Sequence, residues 1–124
     1  MEVEEAKKQM KRFINEFREG YLDEGYMYDG IRWDCDEIAK TNIMDANILG
    51  ILAGTLPDGF EWRDYYNVNH VVTLQYMAGL AAAICALYRQ IYMASWQHKA
   101  AIDALNDVDA ILNYDYTHTL WPQN

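Results

Sequence analysis

The stretch from Leu74 to Leu105 contains no proline and a single glycine, and its apolar residues return in steps of three and four. Met77, Leu80, Ala81, Ile84, Leu87, Tyr88, Ile91, Ser95, His98, Ile102 and Leu105 therefore share one face of a 3.6-residue turn. Such a helix would be about 50 Å long, whereas a compact chain of this size is about 35 Å across. The spacing predicts a helix that most of the core must face, and that must protrude, bend or meet a partner.

A second stripe on the same helix, Ala78, Ala82, Cys85, Arg89, Tyr92, Met93, Trp96 and Ala100, is also mostly apolar. A helix apolar on two sides is buried on two sides. Either other elements of the domain cover both faces, or the second face serves self-association or docking, with Tyr92, Met93 and Trp96 as anchors.

The rest of the chain supplies shorter elements. Residues 2–19 read as an amphipathic helix with Val3, Ala6, Met10, Phe13, Ile14 and Phe17 on one side, acids in its first turns and Gly20 as its stop. Its single apolar stripe requires a surface to lie on, either the domain's own sheet or a partner. Asp29-Gly30 within residues 25–36 is a type I′ hairpin signal. Asp34 followed by Glu37 is a capping-box start for a second helix, whose core stripe is expected to hold Ile38, Ile43, Ala46, Leu49, Leu52 and Ala53 and to end at Gly54. Residues 60–74 read as a second hairpin, with turn residues from Asn67 to His70 and Thr73 placed to cap the long helix. Asp107 caps one short turn, and an aromatic tail follows.

The expected fold is therefore α+β, in the order α-ββ-α-ββ-α, with a small antiparallel sheet from two hairpins packed against the long helix. The chain divides as an N-terminal helix (1–20), an α+β domain (21–105) and an aromatic tail (106–124) that packs on the domain or a partner.

Composition narrows the function. The net charge of −9 disfavours nucleic acid and anionic membranes as partners. The same charge fits an acidic mimic of nucleic acid, although the acids are scattered rather than arranged in a dense run. Ten tyrosines and four tryptophans against three phenylalanines suit surfaces half buried against another protein. No apolar run is expected to span a bilayer, and the N-terminus has no signal-peptide core, so the protein is expected to be intracellular when made.

Residues that carry chemistry have structural explanations. His70, His98 and His118 share no metal-ligand spacing, so no metal or other cofactor is expected, and His98 reads as a core or interface histidine. The acids Asp34, Asp36 and Glu37 are accounted for by capping. Cys35, near a helix start, is the one side chain for which a lowered pKa is considered. No catalytic motif emerges, and the expectation is a protein without enzymatic activity.

The segments YMYDGIRWDCDEIAKTNI, FEWRDYYNVNHVVTL and SWQHKAAIDALNDVDAILNYDYTHTLWP together resemble a domain of unknown function found at or near the C-termini of tailed-phage tail-fibre and tail-fibre-assembly proteins. The stretch KKQMKRFINEFREGYLDEG resembles the helix that leads into it, so the likeness runs from about Lys7 to Pro122. It implies a structural or assembly protein whose partner is a phage tail-fibre or other tail protein, made in the host cytoplasm and then either carried in the virion tail or acting only during assembly. The small amount of chain upstream favours a separate subunit or chaperone over a receptor-binding tip. The expected contact residues are Tyr92, Met93 and Trp96 on the long helix and Tyr114, Tyr116 and Trp121 in the tail, with a homo-oligomer through the long helix as a further expectation. The competing expectation is an acidic phage inhibitor of a host nucleic-acid enzyme.

Overall fold

The computed structural model describes residues 1–123. Its elements are α1 (Val3–Asp23), β1 (Tyr26–Tyr28), β2 (Ile31–Trp33), α2 (Glu37–Ala53), β3 (Glu61–Arg63), β4 (Asn69–Val71), α3 (Leu74–Asp103) and the short α4 (Val108–Leu112). The fold is α+β in the expected order, and each hairpin forms its own two-stranded antiparallel sheet. Two compact units share these elements: Leu22–Leu87 forms one, and Met1–Tyr21 with Tyr88–Gln123 forms the other.

In the Leu22–Leu87 unit, Asp29 and Gly30 take φ values of 57° and 70° and close a two-residue turn between Tyr28 and Ile31. Both φ values are positive, as a type I′ turn requires. The hairpin delivers Trp33 to the core, where its ring meets His70 of β4 at 5.2 Å and Tyr76 of α3 at 6.1 Å. The second hairpin is closed by Asp64, which accepts from the backbone N–H groups of Tyr66 and Val68 and pairs with His70 Nε2 at 2.7 Å. His70, expected in the turn, therefore sits on β4 opposite Trp62. Thr73 Oγ1 accepts from the Tyr76 N–H and caps α3 as expected.

In the other unit, Lys7 and Lys11 of α1 reach Asp103 at the end of α3, while Arg18 lies 4.6 Å over the ring of Tyr92. Residue numbers that rise along one helix as they fall along the other mean that α1 and this half of α3 run antiparallel. Lys7 Nζ donates to the Asp103 carbonyl, so a cation meets the negative end of the α3 dipole.

The first stripe of α3 is buried along its length, from Met77, Leu80, Ala81 and Ile84 through Leu87, Tyr88, Ile91, Ser95, His98 and Ile102. By length and composition α3 also passes as a possible bilayer span, contrary to the expectation that no run does, with a mean hydropathy of 1.3 in its best window. Core helices of soluble proteins pass the same test, and 39% of that window is buried here.

Three local expectations are corrected. Gly20 does not stop α1, which continues to Asp23; the chain reverses instead at Gly25, with φ 81° and its N–H on the Leu22 carbonyl. The α2 cap is Asp36 rather than Asp34, because Asp36 stands three residues before Ala39, whose N–H its carboxylate accepts. The third correction concerns the α2 stripe. Ile43, Asn47 and Gly50 are the residues that face inward, whereas Ile38, Leu49 and Leu52 are 74%, 66% and 79% exposed. Asn47 explains the choice of face: its amide donates to the Ile43 and Met77 carbonyls and ties α2 to α3. Gly50 completes it by letting Leu56 and Leu74 come within the space a Cβ would occupy.

Candidate interaction surfaces

In the unit built from α1 and the second half of α3, the aromatic residues fall into two groups. The first surrounds His98, which is fully buried. His98 Nε2 lies 2.7 Å from the Thr119 carbonyl, which can only accept, so Nε2 carries the hydrogen. In the neutral ring Nδ1 then accepts from the Tyr114 hydroxyl, also at 2.7 Å. Trp121 stacks on the imidazole at 5.5 Å and donates its indole N–H to the Tyr116 carbonyl. Phe17 of α1 meets both Tyr116 and Trp121. Leu120 adopts a left-handed φ of 75°, an unfavourable backbone for a leucine, where the chain turns Trp121 inward.

The second group lies on the outer face of α3. Trp96 is 60% exposed and Met93 42% exposed, and with Gln97 and Ala100 they border a shallow hollow of about 220 Å³. Tyr92 is half-buried, with its ring against Trp96 at 6.2 Å and under the Arg18 guanidinium. Of the six expected contact residues, Met93 and Trp96 thus face solvent, Tyr92, Tyr114 and Tyr116 are half-buried, and Trp121 is 8% exposed within its own unit.

In the Leu22–Leu87 unit, α2 and the second hairpin border an open groove of about 640 Å³. Ala46, Leu49 and Ala53 line one side, Leu56 the base, and Phe60 and Trp62 the other. The two aromatic rings stack at 6.1 Å. Sequence reasoning assigned these α2 residues to the core, and the exposed groove went unseen.

The titratable groups show how charge is held. Burial, reinforced by Asp36, Asp34 and Asp23, pushes the Cys35 thiol up to about 12, so the thiolate is suppressed and the considered lowering is corrected. Its thiol donates to the Leu22 carbonyl. Burial, followed by repulsion from Asp36 and Asp64, raises the Asp34 carboxyl. The His70 hydrogen bond, helped by the Val68 and Tyr66 N–H groups, holds Asp64 below the usual carboxylate range. Among the described residues no group of three or more His, Cys, Asp or Glu side chains could hold a metal ion.

No curated protein and no solved structure matches the chain. A family model does, over residues 5–118, and its description is "Domain of unknown function (DUF4376)". With nearly the whole described chain inside that match, the protein belongs to the DUF4376 family.

Proposed function

We propose that the protein is a tail-fibre accessory or assembly factor of a tailed phage, chaperone-like in role, that acts by protein–protein contact rather than by catalysis. The sequence resemblance to domains of tail-fibre and tail-fibre-assembly proteins supports the phage context, whereas the family match over residues 5–118 supports a domain of unknown function. The observation that carries contact as the mode of action is Trp96, a large aromatic left 60% exposed beside Met93 on a helix whose opposite face is buried. Tryptophan is enriched among the residues that dominate binding energy at interfaces.

Co-expression with phage tail-fibre and other tail proteins, followed by co-purification, tests the reading. The expected result is a stable complex, or a homo-oligomer through α3, that Trp96→Ala weakens by about tenfold or more while circular dichroism and the melting temperature stay as in wild type. A monomer that retains none of the tail proteins overturns it.

A second reading is favoured by one observation. The Leu22–Leu87 unit carries ten acidic side chains against three basic ones, a net −7, while the other unit carries nine against seven. Such a concentration suits an inhibitor that occupies the basic groove of a host nucleic-acid enzyme by charge mimicry. Binding to such an enzyme that collapses as salt rises would favour this reading over the first.

A further inference from the structure

The exposed face of α2 is the apolar surface that the fold leaves least accounted for. Ile38, Ile48, Leu49, Ile51 and Leu52 are each more than half exposed on a helix of 17 residues. Ile38, Leu49 and Leu52 lie within one side of the helix at 100° per residue, next to the groove that Leu49 itself lines. Scattered single aliphatic residues need no explanation, but Leu49 and Leu52, one turn apart and next to a preformed groove that Leu49 lines, mark a binding surface.

We infer that this groove receives an amphipathic, basic α-helix of another protein, its apolar stripe lying between α2 and the Phe60–Trp62 edge and its lysines or arginines meeting the acids around the rim. Shape supports a helix. Ala46, Leu49 and Ala53 recur at steps of three and four along the groove side of α2, so small side chains flank Leu49 and leave room for a partner's side chains, and the exposed Leu52 extends the ridge beyond the lining. Helix-in-groove recognition uses such anchors at steps of three and four.

Charge supports the sign. Asp45 lines the groove. A hollow that shares Asn42 and Trp62 with it is bordered by Asp34, and another that shares Leu56 and Pro57 is bordered by Asp58. Among the described residues, Arg63 is the one base lining any of the three hollows. Burial, and after it repulsion from Asp36 and Asp64, raises the Asp34 carboxyl beside this rim. A second copy of this unit would bring another net −7 against the same face, which repels, and a zwitterionic lipid surface would leave the acids without counter-charge. A basic partner helix satisfies both the apolar face and its rim. The inference stands on the chemistry of this groove whether or not the partner belongs to a phage tail.

The test uses the full chain and a fluorescein-labelled helical peptide of roughly 18 residues, enough to span the length of α2, with leucines on one face and lysines on the other. Two control peptides share its length: one replaces every lysine by glutamate, and the other scrambles the same composition out of helical register. Saturable one-to-one binding is expected for the first, at least about tenfold weaker for both controls. Chemical-shift changes in the wild-type protein should centre on Ala46, Leu49, Ala53 and Trp62. Leu49→Asp, and separately Leu52→Glu, should weaken the titration by about tenfold or more, with helix content unchanged because both side chains already face water. Equal affinity for the glutamate or scrambled peptide, or shifts centred elsewhere, overturns the inference. So does self-association that Leu49→Asp abolishes in a protein that ignores the peptide, or adsorption to zwitterionic vesicles in its place. Loss of tail-protein association in Trp96→Ala bears on the other unit, so the two readings fail separately.

Discussion

His98 organises its surroundings because each ring nitrogen has one partner, and with the imidazole neutral the two partners' roles are complementary. The Thr119 carbonyl takes the Nε2 hydrogen, the Tyr114 hydroxyl supplies one to Nδ1, and Trp121 covers the ring. Removing the hydroxyl leaves a buried acceptor unsatisfied, which costs more than the hydrogen bond itself contributes in water. Tyr114→Phe should therefore lower unfolding free energy by about 1–2 kcal/mol in urea titrations, with near-ultraviolet circular dichroism reporting the Trp121 environment. Asp64 acts at the same scale through charge. Its folded pKa lies below the unfolded value of about 3.9, because the ionised carboxylate accepts from His70 and two backbone N–H groups. The stabilisation is therefore complete above about pH 4 and is lost as pH falls through the depressed folded value. Asp64→Asn should lower the urea midpoint at pH 6, and the gap from wild type should narrow steadily as pH falls from about 4 toward 2.

At the scale of elements, α1 turns on two glycines of opposite character. Gly20 is helical, exposed and has nothing within 4 Å of an added Cβ, whereas Gly25 has φ 81° and a Cβ there would meet the Trp33 carbonyl at 2.8 Å. Gly20→Ala should stabilise the protein by about 0.5–1 kcal/mol through helix propensity, and Gly25→Ala should destabilise it, both read from thermal melts. Had Gly20 been the left-handed stop that its position suggests, the first sign would reverse. The sequence could not separate these two because α1 remains amphipathic past Gly20, with Tyr21 and Leu22 continuing its pattern, and nothing local says which glycine the turn needs. The α3 stripe was legible because its large aliphatic residues, Leu80, Ile84, Leu87, Ile91 and Ile102, recur on one face while the second stripe carries alanines, Arg89 and aromatics, and burial follows the first face residue by residue. On α2 the same reasoning failed, since a helix apolar on most sides gives periodicity no face to select. Its orientation was set by long-range terms, the Asn47 amide on the Met77 carbonyl and the approach of Leu74 to Gly50, neither of which has a local signature. The groove was hidden for the same reason. The exposure of Trp96 and Met93 is consistent with a second stripe off the buried face. The inward turn of Trp121 depends on partners in α1 and α3 far away in sequence.

At the scale of the whole molecule, charge is divided unequally between two units whose exposed apolar features also differ. The Leu22–Leu87 unit holds most of the net −9 together with the α2 groove, while the unit bearing Trp96 and Met93 is close to balanced. Exposed charges separated by more than about 8 Å are largely screened at physiological ionic strength, and more strongly as salt rises. Apolar burial is not weakened in this way, so the salt dependence of a complex reports which surface forms it. A partner that docks on Trp96 should keep its affinity within about twofold when salt is raised from about 50 to 500 mM. A basic helix in the α2 groove should instead weaken by about tenfold or more over the same range. Isothermal titration of any co-purified partner at both salt concentrations makes the comparison, with Trp96→Ala and Leu49→Asp run in parallel. A salt-insensitive complex lost in Trp96→Ala assigns contact to α3. A salt-sensitive one lost in Leu49→Asp assigns it to α2, and salt sensitivity that neither substitution touches points to the acids alone, as charge mimicry requires.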